Sequence, residues 1–445
     1  MCDWMQSRAC SARKYYSSHR AIMSVCQGGT QTEGPGIPEQ QQHRWPGTSE
    51  TCVSGVHIAK WKSWVILGRA KVAGNGAAGM WFGSALDVRN NSLNMIRLFL
   101  AFAVLVHHSW PLTGHGGELA FAGETVGGWA VAGFFGISGY LITSSRWSNA
   151  LGPYLVNRVA RIMPAFWVCL AMVAFVFAPI GYRVANGTLD GFLTAGHSPL
   201  NFVWSNAFLE MRFYDVSGTP SNVPYEGAWN GSLWSLYYEF ICYLIVAALG
   251  CFAFMKRSRW PMTAAFVLSV AAQANIDTIS RLTNDNFDVV LLLRLLPFFL
   301  GGATIFMWRE RIGFHWIPGI LAFVVAVIIC STVPRWGVQA SALFVTYGVI
   351  WLSTVIRQPL LIAKNDISYG VYIYAFAVQQ LLAVFGIHEL GLFWFSVIAA
   401  ILTVPLATAS WLLVERPVMR RVRGTRGKAK AVHVPAVGVH AAPGV

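Results

Sequence analysis

From Asn94 onward the sequence returns repeatedly to apolar runs long enough to cross a lipid bilayer, and this recurrence constrains the fold more than any other feature. A hydrocarbon core of ~30 Å takes about 20 helical residues to cross, and a helix satisfies its own backbone hydrogen bonds where no water is present. Ten such runs are read at 94–110, 126–144, 164–181, 234–254, 261–275, 289–307, 316–333, 339–356, 368–386 and 392–414. The second is rich in glycine and the fifth is short, so these two carry the weakest signal. The expected fold class is all-α, a polytopic transmembrane helix bundle of about ten spans.

Composition agrees, because only 12% of residues are charged and 55% are hydrophobic, whereas soluble domains usually carry roughly 25% charge. The net charge of +14 raises the question of nucleic acid, but residues 1–80 carry +5 and residues 415–445 carry +6, leaving +3 on the apolar body. A basic tail beside a membrane segment reads as a cytoplasmic anchor with attraction to anionic lipid, so no nucleic-acid partner is expected. Cys169, Cys242, Cys251 and Cys330 lie in apolar runs as small hydrophobes. Cys2, Cys10, Cys26 and Cys52 lack CxxC spacing, and no metal site is expected. Residues 1–88 hold no run of spanning length and no signal-peptide pattern, and are read as a disordered extension or a misassigned start upstream of the body. The membrane domain is placed at 89–421 and a basic cytoplasmic tail at 422–445.

Threading the ten runs alternately across the bilayer puts ten Lys or Arg in the loops on one side and four on the other. The richer side also receives the C-terminal tail, which makes it cytoplasmic and places both termini inside. The one long outer loop, 182–233, carries Trp204, Phe213, Tyr214, Tyr225 and Trp229, which either cover a substrate site or anchor the loop at the interface.

Ionisable groups at membrane depth are costly and therefore candidates for function, with helix-packing roles as the alternative. His107, His108, Glu239 and Arg294 fall within expected spans, and Arg97 stands near the start of the first. Arg97 and His108 are separated by about 16 Å along a helix, which puts His108 near the outer face. Counting two turns past Asn230 brings Glu239 to a similar outer depth, so a His108–Glu239 pair is expected if the helices meet, with a plain interhelical polar contact as the alternative. Arg294 reaches that depth as well. His107 and His108 point about 100° apart and cannot both face one small site. Arg158 and Arg161 share a helix face at the cytoplasmic boundary, where they either bind phosphate or reflect the positive-inside bias. GISG at 136–139 lacks the spacing of a G-x-S-x-G nucleophile elbow.

Seven strings occur in order along 90–421: Arg97 and His108 with ten residues between, GFFGISGYLI from Gly133, Tyr154 with Arg158-x-x-Arg161 and Ile162-Met163-Pro164, WSLYYEF from Trp234, RLLPFFLGG from Arg294, ISYGVYIY from Ile367, and VERP from Val414. On these the chain resembles the acyltransferase 3 family of bacterial membrane proteins. The resemblance implies a multi-pass protein of the bacterial inner (cytoplasmic) membrane that moves acetyl, or another short acyl group, from cytoplasmic acyl-CoA to a hydroxyl of a glycan or glycolipid, with no permanently bound cofactor. It further implies that His108 is the catalytic histidine, that Arg97 is its motif partner, that Arg158 and Arg161 serve acyl-CoA binding, and that Glu239 is the acidic residue of the Trp-Ser-Leu motif. Other members carry a His where this chain has Ala375, so a role for that His does not transfer. Some relatives append an SGNH hydrolase-like domain. The stretch from Glu415 is too short for one, and the membrane body is expected to act alone or with a separate partner.

Together these expectations give one mechanism: CoA phosphates at Arg158 and Arg161, the thioester carried up the bundle, His108 as general base on a sugar hydroxyl, and Glu239 stabilising the imidazolium. Arg97 is grouped with the acyl-CoA side and Arg294 with the acceptor side. The rival class is a transporter or flippase for a lipid-linked sugar or small anion, since intramembrane His, Glu and Arg also suit a substrate pathway. No inverted repeat or matched pair of interrupted helices points to one.

Overall fold

The computed structural model describes Leu86, residues 91–115 and residues 118–432. The reading of residues 1–88 therefore falls outside the described residues except at Leu86. Helices dominate, and strand is confined to a two-residue antiparallel ladder, β1 (Ala120–Phe121) with β2 (Glu124–Thr125), among the described residues.

Among the described residues, five helices are long and apolar enough to cross a membrane. They are α1 (Leu93–Leu112), α2 (Val126–Ser148), α3 (Leu151–Asn186, with a π turn at Val173–Phe177), α8 (Phe287–Trp308), and α12 (Leu392–Ser410), which runs on as one span to Gly424. A sixth arises if α6 (Trp260–Ala274) and α7 (Ile276–Leu282), bent by 81° at Asn275, count as one. Shorter apolar helices occupy the remaining expected positions: α5 (Trp234–Leu249), α9 (Trp316–Thr332), α10 (Ala342–Val355) and α11 (Ser368–Val384). Every expected run is thus helical, while five or six rather than ten meet the length criterion. For α11 the reason is physical: it is buried on almost every side, so its length answers to its neighbours and not to bilayer thickness. The basic segment expected as a tail is helical as far as it is described, forming α13 (Arg416–Val432).

Contacts fix helix direction. Arg97 meets Asp366 just before α11, and Leu105 and Ser109 meet Gln379 further along it, so α1 and α11 run the same way. Ser138 with Glu239 and Arg146 with Ala247 make α2 and α5 parallel in the same manner. Parallel pairing of these helices is what alternate threading requires of the first with the ninth run and the second with the fourth.

The glycines that weakened the α2 signal prove to be its packing surface. A Cβ at Gly139 would sit 1.8 Å from the Phe299 carbonyl oxygen, and one at Gly302 would sit 2.0 Å from that of Gly136. The backbones of α2 and α8 touch there, as small residues allow. GISG is therefore mid-helix packing. Gly139→Val is expected to lower stability by about 1–3 kcal/mol or more through overpacking. Gly152→Ala, where a Cβ meets nothing within 4 Å, is expected to lose none; thermal unfolding in detergent reads both.

The segment 187–233 departs from the expected outer loop. A short helix within it, α4 (Pro199–Asn206), packs along α3, and Trp167 Nε1 of α3 donates to the carbonyl of Ala207 at 2.8 Å. Asn230 is fully buried and donates to the carbonyl of Ile373 in α11 at 2.7 Å. The loop folds down into the bundle before α5 begins.

Candidate active site

At the end of the bundle where α1 begins, four elements bring two arginines and two carboxylates together. Arg97 of α1 and Arg161 of α3 both donate to Asp366 Oδ2, at 2.6 and 2.7 Å, and Arg161 also donates to Glu415 Oε2 at 2.7 Å. Ser368 Oγ at the start of α11 donates to the other Asp366 oxygen at 2.5 Å. The rings of Tyr369 and Trp411 lie 5.7 and 5.5 Å from the Arg161 guanidinium. Burial alone would raise the Asp366 carboxyl, but Arg97, Arg161 and Ser368 outweigh it and hold the group at about 2.

This arrangement separates the two members of the Arg-x-x-Arg string. Arg161 is neutralised within the protein. Arg158 makes no ion pair among the described residues, its Nε is buried without a partner, and its guanidinium lies 6.0 Å from the Tyr154 ring. An unpartnered buried guanidinium N–H is costly unless an acceptor is supplied from outside.

Above Arg97 a narrow cavity of ≈ 30 Å³, room for about two waters, is lined by Phe134, Ser235, Glu239, Tyr369 and Tyr372 among others. Glu239 accepts from Ser138 Oγ at 2.6 Å and from Tyr243 at 2.7 Å. It therefore does not orient His108. The registers along α2 make the separation explicit: His107 lies on Gly127, whereas Glu239 meets Ser138, eleven residues or about 16 Å deeper. The expected His108–Glu239 pair is replaced by an Arg97–Glu239 cavity near the start of α1.

His108 stands at the other end of α1. Its ring meets Phe376 of α11 edge-on at 5.0 Å and lies 5.3 Å from the His107 ring. Neither His108 nitrogen is hydrogen-bonded among the described residues, which leaves the imidazole open to a substrate proton. α1 is held in place beside it by Gln379, whose amide donates to the Leu105 carbonyl at 2.9 Å and to Ser109 Oγ at 2.8 Å. His107 turns instead toward Glu118, 3.9 Å away. Arg294 pairs with Glu124 at 2.5 Å, and Glu124 in turn packs against Gly128, one residue from the glycine beneath His107. Arg294 therefore belongs to the end of the bundle that carries the histidines, as an ion-paired group.

Asp366 and Glu124 were not singled out by the sequence. Both lie outside the apolar runs, where a carboxylate carries no membrane-depth signal. Glu415 lies within the VERP string, and its partner could not be read from spacing.

An acyltransferase domain model of the acyltransferase 3 family matches residues 90–412, which includes Arg97, His108, Arg158, Arg161, Glu239 and Asp366 and stops short of Glu415. An O-acetyl transferase of Shigella phage Sf6 is 29% identical over 347 residues, covering 75% of this chain and 97% of the relative. Nodulation protein 10 of Rhizobium leguminosarum bv. viciae is 26% identical over 363 residues, covering 74% of this chain and 93% of the relative. No solved structure matches the chain significantly. With the family's domain model matching most of its length, the chain belongs to the acyltransferase 3 family.

Proposed function

We propose that the protein is a membrane O-acyltransferase that moves an acetyl, or another short acyl, group from cytoplasmic acyl-CoA to a hydroxyl of a cell-surface or exported glycan. The observation that carries the reading is the polarity along α1: at one end the Arg97 cavity and, one turn from Arg161 on α3, an Arg158 without an ion pair among the described residues, and at the other a His108 without a hydrogen bond among them. The O-acetyl transferase of Shigella phage Sf6, matched over nearly its whole length, supports acetyl as the group and oxygen as the acceptor.

In this mechanism the CoA phosphates take the acceptor-free guanidinium of Arg158, and the pantetheine arm runs about 16 Å beside α1 to His108. The cavity is too small for that arm at rest, so α1, α5 and α11 part to admit it. His108 removes the proton from the sugar hydroxyl. The oxygen bonds to the thioester carbonyl carbon, the carbon–sulfur bond breaks, and the thiolate of CoA leaves and takes up a proton. Glu239, held by Ser138 and Tyr243 beside Arg97, contributes to the donor end of the path and not to the imidazole. The membrane is the bacterial cytoplasmic membrane, with CoA binding on the face that carries the basic helix α13.

Arg158→Gln is expected to raise KM for acyl-CoA about tenfold or more, the worth of a charge-assisted hydrogen bond, with the protein still folded. Arg161→Gln is expected to act on stability instead, because it strips two buried carboxylates of their partner. Steady-state kinetics and thermal unfolding on the same two variants separate these effects. The overall reading is tested by the O-acetyl content of surface polysaccharide in a deletion strain with and without the wild-type gene: restored acetyl supports it, and acetyl content unchanged by the gene rejects acetylation of that glycan.

A further inference from the structure

The segment between α3 and α5 contains an apolar face that the bundle does not cover. The side chains of Leu200 and Trp204 on α4, and of Phe208 in the turn that closes it, follow one another at intervals of four along one side and are 73%, 77% and 74% exposed. The opposite side of the same helix is core, with Phe202 and Asn206 fully buried. Ser198 caps the start, its hydroxyl accepting from Asn201 N–H, Ser205 Oγ donates to Asn201 Oδ1 at 2.8 Å, and Asn206 on the buried side bonds the backbone of Arg212 and Phe213.

Two anchors fix how far this helix descends. Near its start, His197 and Ser217 are joined backbone to backbone, and the adjoining Thr219 accepts from Trp229, whose ring lies on Gly181 of α3. At its end, Ala207 accepts from Trp167 of α3. Gly181 and Trp167 are fourteen helical residues apart, about 21 Å of a ~30 Å hydrocarbon core. α4 therefore runs beside the part of α3 that is long and apolar enough to cross the membrane. The helix it packs on is itself exposed at Trp167, Val168, Phe175 and Val176, and Trp167 reaches the turn that carries Phe208 through the Ala207 carbonyl. At the lower turn the charges are self-paired, Arg212 with Glu210 at 3.3 Å, which reduces their cost at depth.

We propose that α4 is a re-entrant element whose Leu200–Trp204–Phe208 stripe lies against the acyl chains of the bilayer. The occupant is lipid because the stripe sits beside a lipid-facing helix surface, within the crossing segment. Trp204, one of the aromatics read from sequence as either a lid or an interface anchor, is then a hydrocarbon contact and not part of a substrate lid.

The test is photo-crosslinking of the full chain in native membranes, with p-benzoylphenylalanine placed singly at the positions of Leu200, Trp204 and Phe208. Phe175 on α3 serves as the lipid-facing reference and Asp190 as the outer-loop reference. Mass spectrometry of the irradiated protein is expected to find phospholipid adducts at all three stripe positions as abundant as at Phe175, and none at Asp190. Loss of lipid adducts at the stripe while Phe175 retains them, or their replacement by crosslinks to another protein, would overturn the proposal.

Discussion

Replacing His108 by alanine is expected to lower acyl transfer by about 10²- to 10⁴-fold, the usual contribution of a positioned general base. The size of the effect follows from the isolation of the imidazole. Its ring is braced by Phe376, and its nitrogens have no protein partner among the described residues. His107 cannot take over, since its side chain points about 100° away around α1 and turns toward Glu118. His107→Ala should accordingly leave most of the rate in place. Initial rates on membranes matched for inserted protein are the measurement, and wild-type transfer by correctly inserted His108→Ala would remove the base from the mechanism.

Asp366→Asn should have the largest effect on stability. One carboxylate oxygen holds both Arg97 and Arg161, and breaking a buried ion pair by removing one partner costs on the order of 3–5 kcal/mol. Glu415 remains to serve Arg161 alone. The pH dependence has a definite sign. Asp366 is held at about 2 in the folded protein, below the ordinary carboxylate range, so its stabilisation is fully present above about pH 4 and is lost as pH falls toward 2. The thermal midpoint in detergent should drop clearly for Asp366→Asn at neutral pH, with the gap to wild type narrowing in acid. Equal midpoints at neutral pH would show that the two arginines do not depend on this carboxylate.

Apolar length placed the helices in the sequence because hydrocarbon thickness is a simple ruler, and each expected run is helical. The same ruler misplaced Glu239. Its depth was counted from Asn230 as though that residue marked the outer surface, whereas Asn230 is buried against Ile373 and Cys169 inside the bundle. Once the loop is seen to fold inward, α5 begins lower and Glu239 falls beside Arg97 rather than His108. The spacing of Arg158 and Arg161 identified a pair on one face but could not reveal that Arg161 is engaged by two carboxylates and Arg158 by none. One of those carboxylates, Asp366, sits between apolar runs, where an acidic residue looks like any solvated loop position. The glycines of α2 weakened a hydropathy signal for the reason that makes them useful, since removing side chains lets α8 approach.

The central claim is that the acyl group comes from CoA on the cytoplasmic side and ends on a glycan hydroxyl. Inside-out membrane vesicles carrying the protein, given radiolabelled acetyl-CoA from outside, test it most directly. Label is expected in the glycan fraction, released by mild alkali as an ester and abolished by His108→Ala. Glycan that crosses the membrane without acquiring label from any short-chain acyl-CoA would contradict it and identify a carrier.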